Sequence, residues 1–550
     1  MSATLDSRHP LSRRSIAHCT RAALALLLAL PHAAHAQRVG AGSVFALTGE
    51  SEERLRLDQL LGRSSTAGFE IRTPSRFTTL PGDSARWSIG LLLPRVRAIR
   101  NSGLPYSLNQ DDLWASRGWN GAITAGAYFH YGPVRALIAP TAVSEQNLDF
   151  QVIPYPQQFA NPPRSAWANP FHPLPESIDL PLRFGNRSRR QVFPGQSSVT
   201  VDAANVAFGG GTENLWWGPG VRNAIALSDN APGFPHLFAQ TRRPWRTRAG
   251  TFDAQWIVGQ LTESAFFDTN STNNKRSLSG IVAAWSPPGD SGLTLGVTRL
   301  VMAARSGASF PVGAAFDVLR TVGHPFTDST TRSSGRDQLF TAFGRWVFVP
   351  AGFEAYVEWA RFEEPLSLQD FLEYPGHSEG YTLGFQWAHP LATDRHFQLQ
   401  GEASYLEPDP SLRLRPVATT YTSRSVPQGF TERGQTLGAA IGPGASSQWL
   451  AGDVFARRWR AGVYLSRIRW DNGVLFEPIV PKFRRQDVTL SAGARGSFTW
   501  HGERLSVDFA HAARYNYLFQ AFVLKPGLAG GIDLLNNSLS VTLSTPVGIR

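Results

Sequence analysis

The chain has 550 residues, 17% of them charged and 42% hydrophobic, with a formal net charge of +11 and one cysteine. Its basic residues are almost all arginine and lie scattered, with neither a helical stripe nor a basic tail, which argues against a nucleic-acid partner. The lone thiol, Cys19, falls at the extreme N-terminus, so the rest of the chain has no disulfide, cysteine metal site or thiol nucleophile.

Residues 1–36 read as a secretory signal peptide. Arg13, Arg14 and Arg21 are basic, Ala22 to Leu30 are apolar, and Ala34-His35-Ala36 supplies an A-x-A cleavage site. Ser12-Arg13-Arg14 is a faint twin-arginine signal, but a general-secretion signal fits a protein that crosses the inner membrane unfolded. Cys19 precedes the apolar stretch, where a lipid-attachment cysteine would follow it. Removing this segment takes away four arginines and Asp6 and leaves +8. Export makes phosphate-rich outer-membrane lipid or an acidic polysaccharide the expected partner.

The next segment, 37–85, carries the helical signals. Thr48-Gly49-Glu50-Ser51-Glu52-Glu53 offers cap candidates and front-loaded acids, Leu55, Leu57, Leu60 and Leu61 follow, and Gly62 ends the run. The pattern predicts a short amphipathic helix.

From 86 to 550 the period changes to two. No run beyond Ala36 approaches the roughly 18 to 20 apolar residues of a membrane helix, since Pro94, Arg95 and Arg97 break the stretch from Trp87 to Arg100. Phe353, Ala355, Val357 and Trp359 alternate with Glu354, Tyr356 and Glu358. Tyr381, Leu383, Phe385 and Trp387 alternate with Thr382, Gly384 and Gln386. Similar patterns surround Val463 to Trp470, Val488 to Gly496, Leu505 to Phe509 and Leu539 to Leu543. Charges such as Glu354, Glu358, Arg467 and Arg469 are expected on inner faces, around a polar lumen. Trp285, Trp359, Trp387, Trp470 and Trp500 are expected in interfacial girdles.

Those features predict an all-β protein, a large antiparallel transmembrane β-barrel with an even strand count of sixteen to eighteen. Ser286 to Gly292 reads as a hairpin turn between Ile281-Trp285 and Leu293-Leu300. The long connections Pro154 to Arg190, Arg305 to Arg336 and Pro408 to Gln428 are expected outside the cell. The last strand should end near Leu543.

Catalytic patterns are weak. Gly289-Asp290-Ser291-Gly292 looks like a serine-protease nucleophile loop, but those residues are what a turn prefers. Glu354 and Glu358 share a strand face, roughly 13 Å apart, too far for a glycosidase pair, and read better as lumen lining. The histidines beyond residue 36 show no HExxH or paired spacing, so no metal is implied, nor any cofactor.

The densest constellation is Glu213-Asn214-Leu215-Trp216-Trp217-Gly218-Pro219-Gly220, followed by Arg222-Asn223 and Ser228-Asp229-Asn230-Ala231-Pro232-Gly233-Phe234-Pro235-His236. Trp216 and Trp217 could stack on a pyranose while Arg222, Asn223, Asp229, Asn230 and His236 bind its polar groups. Equally, the segment could be an inward structural fold with its aromatics packed. Both readings stay open.

That constellation resembles the signature of the Wzi-type capsule assembly family. Asp111-Asp112-Leu113-Trp114 with Arg117-Gly118, Arg183-Phe184-Gly185, Pro194-Gly195-Gln196-Ser197, Gln428 to Gln435 and Gly438 to Gln448 agree in order. The resemblance implies eighteen strands, an N-terminal helical segment on the periplasmic side and an occluded lumen. It further implies a lectin-like, non-enzymatic role in binding capsular or other surface polysaccharide, with the polysaccharide export machinery as a further partner. An oligosaccharide channel is the alternative, and an enzyme acting on polysaccharide ranks third.

Overall fold

Alternation builds the wall. In the strand Phe353–Arg361, Val357 is exposed outward while Glu354, Tyr356 and Glu358 are buried inside. Glu379–Ala392, Asp487–Trp500 and Glu503–Tyr515 repeat the pattern, with Leu383, Leu490, Leu505 and Phe509 outward. An apolar exterior in lipid requires a sheet without open edges, because hydrocarbon cannot satisfy free backbone groups. The computed structural model describes residues 41–78, 86–307, 309–320, 322, 335–365, 367–409, 417–476, 485–525 and 528–545; the expected signal peptide, 1–36, lies outside them.

Eighteen antiparallel strands form the wall, each paired with its neighbour in chain order. Leu534–Ser544 returns to Trp87–Asn101, pairing Ser538–Leu543 with Asn101–Val96, and the barrel closes. Three strands are each split in two: Val134–Ile138 with Thr141–Glu145, Arg189–Phe193 with Ser198–Ala203, and His236–Thr241 with Trp245–Thr247. Pro140, Pro194 and Pro244 sit in the three gaps. Proline has no ladder donor, so each interrupts pairing where it falls.

One end of the barrel has tight turns, such as His501-Gly502, both with positive φ, and Pro287 to Gly292 between Lys275–Ser286 and Leu293–Arg305. The other end carries the long connections, the arrangement of outer-membrane barrels, whose long loops face outside. Among the described residues no helix is long and apolar enough to cross a membrane.

The helix Glu50–Leu60 sits in the mouth at the short-turn end. The Glu52 carboxylate accepts from Thr48 N at 3.0 Å, and acids at Glu50, Glu52 and Glu53 favour the helix N-terminus. Gly62, at φ +68°, stops the helix in the left-handed conformation glycine tolerates. Leu57 and Leu60 pack on Val347, Ala388 and Phe455, inward residues near the turns. Just before the helix, Ala41–Gly42 pairs in parallel with Leu91–Leu92, extending the closing seam beyond the last strand.

Parity corrects two expectations. Arg467 and Arg469 share the outward face with Val463 and Leu465, not the lumen; Arg467 donates to Gln448 and Arg469 to Glu407 near the long-loop end. Trp470 has the opposite parity. It faces inward with buried Ile468, its Nε1 donating to Thr489 Oγ1 at 2.8 Å, so it is no girdle residue. Trp387 and Trp500 do face outward.

The lumen holds a large apolar cluster beside its buried polar groups. Inward residues of the strands from Gly250–Thr262 to Phe353–Arg361, among them Ile257, Val282, Leu300 and Phe343, pack on Trp217, Ile225, Tyr421 and Phe430 from two inward-folded loops. This is the largest apolar cluster among the described residues, and it lies inside the barrel. The opposite side, along the final strands and the first, is lined by arginines and hydroxyls.

Candidate functional site

The strand Val206–Gly211 is only six residues long, whereas Gly250–Thr262 has 13. The chain therefore leaves the wall early and turns inward. Trp216–Trp217 then pairs with Ile71–Arg72 of the N-terminal segment. Both rings are buried, at 0% and 1% exposure, and both indoles are satisfied: Trp216 Nε1 donates to Gly220 O at 3.2 Å and Trp217 Nε1 to Gln255 Oε1 at 2.7 Å.

Two carboxylates of the wall hold the bend that follows. Glu358 accepts from Gly220 N at 2.7 Å and Ile225 N at 2.9 Å. Glu402 accepts from Val221 N at 2.7 Å, Arg222 N at 3.1 Å and Asn223 N at 2.9 Å, and also from Tyr356 Oη at 2.8 Å. Five loop amides are thereby neutralised by two buried acceptors. Gly218 is obligatory: its φ is +108°, and a Cβ there would lie 2.4 Å from Glu358 Oε1.

Further along, Asn230 Nδ2 donates to Thr436 Oγ1 at 2.8 Å, and Asp229 Oδ2 accepts from Thr48 Oγ1 at 2.9 Å. The His236 ring Nδ1 donates to Phe234 O at 2.9 Å. Burial pushes the Asp229 carboxyl up to about 7, with nearby Asp111 adding to the shift. Glu213, which accepts from Ser75 N and Oγ at 2.8 and 2.6 Å, is likewise pushed up to about 7 by burial.

Glu354 belongs to a different assembly. It accepts from Arg56 of the helix at 2.9 Å and from Arg345 at 2.7 Å. Arg345 also reaches Glu70 at 3.3 Å, and Glu52 pairs with Arg72 at 2.8 Å and Arg56 at 3.5 Å. Three guanidiniums and three carboxylates thus form a balanced buried lattice. The ring of Phe69 lies within 4.7 Å of all three guanidinium carbons. Arg56 Nη2 donates to Pro219 O at 2.6 Å, which locks the helix onto the Gly-Pro-Gly bend. The lattice joins the helix, the bend and the wall.

Arg222 stands apart. Its amide is held by Glu402, but its guanidinium has no hydrogen-bonding partner among the described residues and lies 5.2 Å from the Trp449 ring centroid. It borders a cavity of about 250 Å³ between the helix segment and the final strands. A second hollow, of about 190 Å³, opens among the long connections, lined by Trp114, Phe184, Phe266, Glu145, Glu263 and Arg433.

The structure therefore gathers eight of the sequence candidates, Trp216, Trp217, Asn223, Asp229, Asn230, His236, Glu354 and Glu358, into contacts within the lumen. The Arg222 guanidinium makes no hydrogen bond among the described residues, and Asp229 Oδ1 and His236 Nε2 are also left without a partner. Sequence reasoning missed Glu402, although the signal was present: His396, Gln398, Gln400, Glu402 and Ser404 form a polar inner face on Arg395–Tyr405. It also missed the lattice partners Arg56, Arg72 and Arg345.

The family model described as capsule assembly protein Wzi matches residues 105–452. Among solved structures, an Escherichia coli protein described as an outer membrane, carbohydrate-binding β-barrel involved in group 1 capsule assembly aligns at a TM-score of 0.57 and 13% identity, over 91% of this chain and 99% of its own. OccAB2 of Acinetobacter baumannii aligns at a TM-score of 0.39 and 7% identity, over 82% and 96%. OprD of Pseudomonas aeruginosa gives 0.37 and 9%, over 83% and 92%. No curated protein matches the sequence.

Proposed function

The chain belongs to the capsule assembly protein Wzi family, and from that premise we propose that it is a non-enzymatic, lectin-like protein of the outer membrane that binds and organises surface polysaccharide. The observation that carries the reading is a lumen filled by its own chain. Five amides of the Gly-Pro-Gly segment are tied to Glu358 and Glu402, and the helix Glu50–Leu60 is ion-paired into the short-turn mouth. A barrel so obstructed presents a fixed outer surface rather than a pore.

The eight engaged candidates are read as lumen-structuring. Sugar contact falls to the long connections. There the hollow of about 190 Å³ combines the half-buried rings of Trp114 and Phe266 with carboxylates and the guanidiniums of Arg189 and Arg433, the mixture that packs on a pyranose and bonds its hydroxyls. Deleting the gene and comparing retained with shed polysaccharide tests the role: more shedding is expected, and unchanged retention, with no binding across a glycan panel, refutes it. The channel alternative is separated by planar-bilayer recording, where this protein is expected to be silent.

A further inference from the structure

We propose that the cavity beside Arg222 is a binding site for a small oxyanion, either the carboxylate of a uronic acid or inorganic phosphate. At about 250 Å³ it greatly exceeds the roughly 10–15 Å³ that one water needs. Its wall is rich in donors. Arg95, Arg97, Arg222, Arg460, Arg495 and Arg504 border it, with the hydroxyls of Ser538, Ser540, Thr542 and Ser544 along the last strand.

The carboxylates do not match these arginines one for one. Arg95 and Arg97 share Asp111, at 3.4 and 2.7 Å, while Arg54 and Arg504 share Glu50, at 2.7 and 3.5 Å. Arg460 and Arg495 are balanced by Glu53 and Asp453. Arg222 has no ion pair among the described residues. Asp508, also on the cavity wall, accepts from Tyr464 Oη at 2.9 Å.

Behind the cavity wall, Arg97 Nε, Arg460 Nη2 and Trp449 Nε1 are buried without a partner. Trp449 is 7% exposed, and the guanidiniums of both Arg222 and Arg495 lie 5.2 Å from its ring centroid. Buried donors and unpaired guanidiniums are costly unless an acceptor meets them. An oxyanion supplies several acceptor lone pairs and a compensating charge, and guanidinium binds it in a forked geometry.

This site is separate from polysaccharide binding at the outer surface, and its test does not depend on that role. The mature protein in detergent micelles is titrated calorimetrically with sodium glucuronate, inorganic phosphate and, as the neutral control, glucose. One or both anions should bind, at least tenfold tighter than glucose, and the tighter of the two identifies the source. Arg222→Gln should weaken the anion at least tenfold, with heat-modifiable gel migration unchanged, because the Glu402 bonds use the backbone. Arg222→Lys keeps the charge and should retain part of the affinity, which guards against a folding artefact. Anions no tighter than glucose, or equal binding to Arg222→Gln, would overturn the proposal.

Discussion

Replacing Glu358 tests whether the inward loop is pinned by wall carboxylates. The Glu358 side chain is the acceptor for Gly220 N at 2.7 Å and Ile225 N at 2.9 Å, and all three residues sit in the filled lumen. Glu358→Ala strands two buried donors, and at about 1–3 kcal/mol for each unsatisfied group the expected loss is about 2–6 kcal/mol. Glu358→Gln keeps one acceptor and turns an amide nitrogen toward the other donor, so its loss should be about half, roughly 1–3 kcal/mol. Urea unfolding of the reconstituted barrel, with the heat-modifiable gel shift as an independent readout, measures both. The order parent, Gln variant, Ala variant is the signature of acceptor loss. An Ala variant within about 0.5 kcal/mol of the parent, the range of inconsequential surface changes, would refute the pinning argument.

Other substitutions probe other parts of the lumen. Trp217→Ala should cost about 3–5 kcal/mol as a core truncation and lower the temperature of the gel shift. Were the ring a sugar platform, migration would be unchanged and only glycan binding lost. Gly218→Ala should prevent a folded band from forming, since it meets both the positive φ and the Glu358 carboxylate; a normal band would refute that packing. Arg345→Met should cost about 3–5 kcal/mol by leaving Glu70 and Glu354 short of a buried cation, and adding Glu70→Gln should recover part of it. Glu263, in a long connection, is pushed up to about 8 by burial, with Asp268 and Asp179 adding to the shift. Its folded form holds the proton more tightly than the unfolded chain, so the stability it contributes is present below about 4.5 and lost as pH rises toward 8. Glu263→Gln should therefore gain on the parent between pH 5 and pH 8 in the gel-shift temperature; a constant difference would count against it.

The wall was legible in the sequence because each strand records its environment locally. Lipid accepts only apolar side chains, so Val357, Leu383, Leu490 and Phe509 announce the outer face two residues at a time. The same rule misled where a strand leaves hydrocarbon. Arg467 and Arg469 stand outward beside the long connections, where charge is tolerated, and Trp470 turns in because Arg514 and Thr489 receive it. Parity, rather than polarity, was the safer guide there.

The lumen was far less legible, and the reason is physical. Inward residues need only suit whatever fills the barrel, and here the filling comes from distant chain. Glu354 is matched by Arg56, 298 positions away, and Glu402 by amides 179 to 181 positions earlier. No local period encodes such pairings. The Trp216-Trp217-Gly218-Pro219-Gly220 element signalled that something specific happens, and both readings of it fitted its composition. Burial favours the structural one. A ring at 0% or 1% exposure, with its indole donor satisfied inside the protein, leaves no face for a pyranose. Arg222 differs from its neighbours in this respect. Its backbone is bonded to Glu402 while its guanidinium, over the Trp449 ring, has neither hydrogen bond nor ion pair among the described residues, and a charged group so held in a donor-rich cavity is best explained by a ligand.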